Sequence, residues 1–250
     1  MFPDSVVNFF AGNQELLWLL TLVLDLGGTV LLYQLFGKAG LQVAIATAII
    51  LANLQGPKLT VIFGMETTLG VIFYSSIFFA TDVLSENHGK AEANKAVWMG
   101  FAVSLIVLVM LSIALLYQPS NLQGTAEFSA EIHAAFATIV NFTPLMIAGS
   151  MLAYVSSQTF DVWAFHKIKS ITGQRRLWLR NNLSTMTSQI IDTAIFALVA
   201  WGPIVGLRKA LGLGFAKYVF KVVIALIDTS FIYWARYSFL KSREAAVQGA

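Results

Sequence analysis

The sequence predicts an all-α integral membrane protein with about seven transmembrane helices. Of its 250 residues, 57% are hydrophobic and only 12% are charged, with a mean hydropathy of +0.73. A soluble domain of this size is about 25% charged. Seven apolar stretches approach the roughly 20 residues that a bilayer-spanning helix needs. They lie at roughly 15–36, 40–62, 66–84, 96–117, 137–163, 181–204 and 215–240. We therefore predict one polytopic membrane domain over residues 1–250, surrounded by the lipid bilayer.

The first stretch predicts a retained N-terminal helix, about residues 15–36, rather than a cleaved signal peptide. No Lys or Arg precedes Gln14, the stretch contains Asp25, and it lacks a small-residue cleavage motif. Asp25 could hydrogen-bond within the bundle or face an oligomer partner. Gly27-Gly28 would permit close helix packing, so a homo-oligomer stays open.

The second stretch is interrupted near its end. Asn53 and Gln55 are polar, and Gly56-Pro57 breaks helical hydrogen bonding. Membranes tolerate broken backbone only where protein or water supplies the missing partners. Because Lys58 follows at once, the pattern favours a binding site at membrane depth.

The third and fifth stretches carry polar residues at helical spacing. Asp82 and Glu86 lie one turn apart near the end of the third, and Gln158 and Asp161 share a face of the fifth. These faces are predicted to point into a polar interior. The alternative is a structural role, in which the acids pair with the nearby Lys90, Lys95 or Lys167. The long outer loop between the fourth and fifth stretches, about 118–136, contains a segment (Ala126–Phe136) that could be an amphipathic helix or a plain loop.

The sixth stretch carries a polar stripe that is costly to expose to lipid. At about 100° per residue, five polar side chains fall within an arc of about 100°, with Gln189 at its edge. The five are Asn181, Ser184, Thr185, Ser188 and Asp192. An Asp at mid-bilayer costs roughly 2.5–3.5 kcal/mol, so the stripe predicts one wall of a polar pocket. Asn181 and Asn182 could instead cap the helix.

The last stretch contains Lys221 and Asp228. Lys221 lies towards its outer end, and Asp228 is two turns away, which disfavours a retinal site with its mid-span lysine and adjacent counter-ion. Asp228 could also serve only to pair with a neighbouring helix.

The basic residues predict the orientation. Eleven of the sixteen fall on one side of the seven predicted helices, most densely in the loop His166–Arg180. The positive-inside rule places that side in the cytoplasm, so the N-terminus is predicted outside and the C-terminus inside, in the inner membrane. The same reading leaves no reason to expect nucleic-acid binding.

Several chemistries lack their sequence signatures. There is no cysteine, which excludes disulfides, a thiol nucleophile and thiolate metal sites. No phosphate-binding loop or H-E-x-x-H motif is present, and the three histidines are scattered at span ends. We expect no enzyme, no cofactor and no metal; an intramembrane enzyme that uses an aspartate pair is the remote alternative.

Five motifs in order resemble the queuosine precursor transporter family, also described as vitamin-uptake-like transporters. They span about residues 45–240 and comprise Ala52-Asn53 with Lys58 and Gly64, then Phe79–Gly89, Ala153–Val162, Trp178–Phe196, and Tyr218–Lys221 with Leu226–Thr229. The resemblance implies a six-helix core, about residues 40–240, similar to the substrate-binding subunits of vitamin importers. It also implies an importer of 7-deazaguanine bases such as preQ0, preQ1 or queuine. The chain departs from the family in its extra N-terminal helix, and in Leu145 after Pro144, where relatives often have Arg.

The ligand class implied by this resemblance suits the polar residues. A carboxylate can accept both the N1–H and the exocyclic amine of a deazaguanine edge, and Asp192 is our first candidate for that role. Amides would meet the other ring atoms, and aromatic walls would stack on the ring. Phe196 and Trp163 are further candidate walls. The predicted substrate-binding residues are Asp192, Gln189, Asn181, Asn182, Ser188, Gln158, Asp161, Asp82, Glu86, Asn53, Lys58, Lys221, Phe78 and Phe79.

Two transport modes stay open from the sequence. The chain could import the base by itself, driven by protons on acids such as Asp192 or Glu86 or passively by consumption of the base inside. Alternatively, it could be a substrate-binding subunit that needs a separate ATPase motor.

Overall fold

The computed structural model describes residues 2–56, 58–140 and 144–248, and these are almost entirely helical. In chain order the elements are α1 (Asp4–Ala11), α2 (Gln14–Phe36), α3 (Lys38–Gln55), β1 (Leu59–Ile62), β2 (Met65–Thr68), α4 (Gly70–Asn87), α5 (Lys90–Ala114), α6 (Ala126–Val140), α7 (Pro144–Thr172), α8 (Leu177–Phe196), a π-helical turn (Ala197–Trp201), α9 (Gly202–Val205) and α10 (Leu207–Gln248). Each of the seven predicted stretches contains a long helix.

Five of the described helices are long and apolar enough to cross a membrane. They are α2, α3, α5, α8 with its π-helical turn to Ala200, and α10. The fold class, an all-α membrane protein, is therefore confirmed, while the number of spans stays a prediction. The remaining long helices, α4 and α7, are not among these five. The side chains of α4 are buried along most of its length, so neighbouring helices rather than lipid surround them.

Helix α2 packs one face against the bundle and turns the other outward. Trp18, Leu22 and Leu26 are buried at a spacing of four residues, whereas Leu24 and Leu31 are exposed. This is the pattern of a helix that lies between a protein core and lipid. The predicted N-terminal helix is thus part of the same core as α3, α4 and α10.

A short β-hairpin separates α3 from α4, and here the predicted span boundaries are wrong. The second and third stretches were predicted to run to residue 62 and from residue 66, but β1 and β2 pair antiparallel, with Ile62 opposite Met65. The two turn residues, Phe63 and Gly64, have φ values of 50° and 72°. Positive φ at both positions is what a type I′ turn, a common two-residue hairpin connection, requires. The Phe63 N–H donates to Glu15 Oε1 (3.2 Å), which ties the hairpin to the start of α2.

One predicted feature near the hairpin changes as a result, and another agrees with the sequence. Lys58 lies in the exposed connection before β1, not inside a helix. Helix α3 ends at Gln55, as the predicted interruption requires, and Pro57 lies outside the described residues.

Other boundaries also shift. The surface segment predicted over Ala126–Phe136 is a helix, α6, which continues to Val140. The fifth predicted span, 137–163, therefore covers the end of α6 and most of α7. The last helix is 42 residues long and extends beyond the predicted span at both ends. Helix α1 was not predicted.

The long helices alternate in direction and so define two ends of the bundle. The hairpin end is where α3, α5 and α8 finish and where α4, α7 and α10 begin. The basic end is where α4 and α7 finish and α5 and α8 begin, and it holds Lys90, Lys169 and Arg180.

Candidate functional site

Polar side chains of α4, α7, α8 and α10 meet in three successive layers between the hairpin end and the basic end. The layers follow from helical spacing. On α4, for example, Tyr74, Phe78, Asp82 and Glu86 recur every four residues and therefore share one face.

The first layer, nearest the hairpin end, is the ion-pair layer of Tyr74, Ser157, Asp192 and Lys221. The Lys221 ammonium pairs with Asp192 Oδ2. The Tyr74 hydroxyl donates to Asp192 Oδ1 at 2.6 Å, and the Ser157 hydroxyl donates to the same oxygen at 3.4 Å. Lys221 Nζ also lies 4.9 Å from the centre of the Tyr74 ring. Both oxygens of Asp192 are therefore engaged.

A cavity of about 450 Å³ lies on the hairpin side of the ion-pair layer. It is lined by the hairpin and by α3, α4, α5, α6, α7, α8 and α10, and most of its lining is apolar. Its polar lining includes Asn53, Thr68, Tyr74, Ser104, Ser150, Tyr154, Asp192, Lys217 and Lys221. This volume falls within the range of small-molecule sites. Three predicted site residues (Asn53, Asp192 and Lys221) and the predicted wall Phe196 line it.

The second layer is the acid layer, in which α8 donates hydrogen bonds to acids on three other helices. The Thr185 hydroxyl donates to Asp82 Oδ2 on α4 at 2.9 Å. The Ser188 hydroxyl donates to Asp161 Oδ1 on α7 at 2.8 Å. All four residues are almost completely buried, so the predicted stripe of α8 does face a polar interior.

Helix α10 completes the acid layer through Asp228. Its Oδ1 accepts a hydrogen bond from the Asn181 amide at 2.8 Å. The next residue on α10, Thr229, accepts from the Asn182 amide at 2.6 Å. The predicted alternative, that the two asparagines cap α8, is wrong, because the helix starts after Arg176 without a side-chain cap.

The acid layer also holds buried polar atoms that have no hydrogen-bond partner in the described part of the chain. They include Asp82 Oδ1, Asp161 Oδ2, the amide oxygens of Asn181 and Asn182, and both amide atoms of Gln158 and Gln189. The two glutamines are 0% and 1% exposed. An unsatisfied buried group costs about 1–3 kcal/mol, and folded proteins rarely keep one. This layer is therefore a candidate place for contact with a ligand.

The third layer, at the basic end, is the Glu86 network. Arg180 donates to both oxygens of Glu86, Nε to Oε2 at 3.0 Å and Nη2 to Oε1 at 2.7 Å. Lys169 Nζ lies 3.0 Å from Oε2, and Arg236 pairs with Oε1. One buried carboxylate thus joins α4, α7, α8 and α10.

These ion pairs test the alternative that the acids of α4 and α7 have a structural role and pair with nearby lysines. Glu86 does pair with basic residues, but the predicted partners Lys90, Lys95 and Lys167 are wrong. Asp82 and Asp161 have no ion pair at all among the residues that the structure describes.

The predicted aromatic walls separate into different environments. Phe196 lines the cavity. Phe78 is buried, with its ring centre 5.9 Å from that of Tyr74. Phe79 packs in the apolar core, 6.5 Å from Phe231. Trp163 is 51% exposed, so its predicted role as a stacking wall is wrong.

Sequence reasoning missed Tyr74, whose phenol donates a hydrogen bond to Asp192. The signal that could have found it is its position two turns before Asp82, on the face that also carries Glu86.

Comparison with known proteins gives consistent matches. Residues 68–235 match the family described as "Putative vitamin uptake transporter". A "Probable queuosine precursor transporter" of Bacillus subtilis is 39% identical over 220 residues, which is 88% of this chain and 93% of that protein. The "Queuosine precursor transporter" of Escherichia coli is 28% identical over 170 residues, 66% of this chain and 71% of its own. No solved structure matches. The matched range includes the described residues of all three polar layers except Arg236.

Proposed function

This chain belongs to the queuosine precursor transporter family, and we propose that it imports 7-deazaguanine bases such as preQ0, preQ1 or queuine across the inner membrane. The membership confirms the resemblance predicted from the sequence. Because the relatives are named as transporters, it also confirms that the chain is a membrane transporter and not an enzyme.

The acid layer is the observation that carries the substrate proposal. A deazaguanine edge presents an acceptor oxygen beside two donors, N1–H and the exocyclic amine. A glutamine amide offers one acceptor and two donors and can pair with such an edge at two points. Gln158 and Gln189 have both amide atoms unpaired and buried, as a site for a flat, hydrogen-bonding base requires.

We propose that Asp192 accepts hydrogen bonds from the edge of the base, which requires that it first release a present partner. Its oxygens are engaged with Lys221, Tyr74 and Ser157, so a base must exchange with at least one of these partners. Its position between the cavity and the acid layer supports a route from one to the other. We infer that a base enters through the cavity at the hairpin end, passes Asp192 and is held in the acid layer.

Rescue of tRNA modification tests the function in cells. A strain that can neither make nor import deazaguanines receives this gene and is supplied with preQ0, preQ1 or queuine. We expect queuosine to appear in its tRNA with at least one of these bases. Absence of queuosine with every base, while the protein is present in the membrane, would contradict the proposal.

The glutamine contact has a direct test on α8. Gln189→Ala removes one buried amide, and we expect base binding to weaken about tenfold, the effect of losing a hydrogen bond of about 1.5 kcal/mol. Thr187→Ala is the matched control, since its hydroxyl donates only to backbone carbonyls of its own helix. Binding to the purified proteins is measured by titration. Equal affinities in the two variants would remove Gln189 from the site.

Purified protein in liposomes separates the two transport modes. Uptake of a labelled base by this chain alone is expected for a self-sufficient importer. Binding without uptake would instead indicate a subunit that needs a separate ATPase. Repeating the assay with and without a proton gradient tests whether protons drive the import.

A further inference from the structure

The charges inside the bundle are compensated in two layers but not in the third. Asp192 has Lys221, and Glu86 has three basic partners. The acid layer lies between them and contains Asp82, Asp161 and Asp228. Among the described residues, no Lys, Arg or His forms an ion pair with any of these three.

Two carboxyl oxygens in this layer accept no hydrogen bond from a hydroxyl, amide or basic group among the described residues. Asp82 uses Oδ2 for the Thr185 hydroxyl, and Asp161 uses Oδ1 for the Ser188 hydroxyl. The other oxygen of each acid is buried without a protein donor. The two carboxyl groups are also neighbours, so the electrostatic field between them favours a positive group or a shared proton.

The neighbouring side chains indicate whether that positive group is a metal ion or an organic cation. No group of three His, Asp or Glu side chains in the described ranges has the arrangement of a metal site. The unpaired amides of Gln158 and Gln189 belong to the same layer and suit an organic ligand. An ammonium group has three donors and no acceptor, which matches a pair of carboxyl oxygens.

We propose that Asp82 and Asp161 determine specificity by holding a protonated amine on the transported base. The inference rests on the proposed function and names its substrate class more closely. The transporter prefers a 7-deazaguanine with a charged aminomethyl substituent (preQ1) over one with a neutral cyano substituent (preQ0). The carboxyl oxygens without protein donors accept from the ammonium group, while the glutamine amides contact the ring.

Binding titrations with both bases test this preference on the full-length protein in detergent. Wild type should bind the aminomethyl base at least about tenfold more tightly, because hydrogen bonds to charged groups are stronger than those between neutral groups. Asp82→Asn and Asp161→Asn keep the side-chain volume and an acceptor for the α8 hydroxyl. Each should reduce the preference about tenfold, mainly through weaker binding of the aminomethyl base. Asp4→Asn, on the exposed helix α1, is the control and should leave the preference unchanged.

The outcomes separate this inference from the proposed function. Wild type that binds both bases equally, or prefers the cyano base, overturns the inference and leaves the proposed function standing. Variants that fold but keep the wild-type preference also overturn it, and would indicate that the acids hold a shared proton. Wild type that binds no deazaguanine overturns both. If neither variant folds, the wild-type preference alone decides.

Discussion

At the scale of single residues, the pair of Asp192 and Lys221 illustrates how this chain keeps charges inside an apolar bundle. Each side chain would be costly alone, but the two are in contact, and Tyr74 and Ser157 satisfy the remaining oxygen of Asp192. Removing one partner of a buried pair is strongly destabilising, because it leaves an uncompensated charge, whereas removing both costs much less.

The first prediction follows from this asymmetry. Asp192→Asn or Lys221→Met alone should lower the free energy of unfolding by about 3–5 kcal/mol, and the double variant should recover most of the loss. Thermal unfolding in detergent measures the effect. Because the double variant is expected to fold, its uptake of the base reports on substrate binding by Asp192 separately from stability. If it folds and takes up preQ1 at the wild-type rate, the proposed reading of the base edge is wrong.

Glu86 gives the second prediction at this scale. Glu86→Gln leaves Arg180, which is fully buried, without its carboxylate, and also removes the partner of Lys169 and Arg236. We expect a loss of about 3 kcal/mol or more, seen as a lower melting temperature. Glu92→Gln is the matched control at the same end of the bundle. Its partner Lys38 is exposed, so little change is expected. Similar melting temperatures for the two variants would show that the Glu86 network does not stabilise the fold.

At the scale of helices and strands, the sequence predicts where the long helices lie along the chain, but not which helices pack against one another. The polar stripe of α8 was visible from helical spacing alone, because spacing is a local property. Thr185 contacts α4 and Ser188 contacts α7. These contacts depend on which helices pack side by side, and residue spacing along one helix carries no information about that. The hairpin was not predicted, because Leu59–Ile62 is apolar enough to be taken for the end of a transmembrane helix. Only Phe63-Gly64 marks the turn.

The crossing of α3 and α4 gives an element-scale prediction. A Cβ added at Gly70 would lie 2.7 Å from the Ala52 carbonyl oxygen and 3.0 Å from the Gly56 Cα. Both are backbone atoms that cannot rotate away, so Gly70→Ala should destabilise by about 1–3 kcal/mol. Gly28→Ala in α2 has open space around its Cβ and should be neutral or stabilising. Melting temperatures of the two variants compare them. An unchanged value for Gly70→Ala would mean that the helices can separate there without cost.

At the scale of the whole molecule, charge is distributed unevenly between the two ends. The connection between α7 and α8, with Arg175, Arg176 and nearby Lys169, lies at the basic end, whereas the cavity opens among the helix ends near the hairpin. The positive-inside rule predicts that the basic end faces the cytoplasm. The cavity would then face outward, towards incoming substrate, and the Glu86 network would lie between the acid layer and the cytoplasm.

Thiol labelling tests this orientation, and the chain is well suited to it because it contains no cysteine. Leu122→Cys places a single thiol in the exposed connection between α5 and α6, and Ile171→Cys places one at the exposed end of α7. A membrane-impermeant reagent added to intact cells should label position 122 but not position 171. Position 171 should react only after the membrane is opened, and the cysteine-free parent controls for background. Labelling in the opposite pattern would place the basic end outside. The cavity would then open to the cytoplasm, and the proposed direction of entry would have to be reversed.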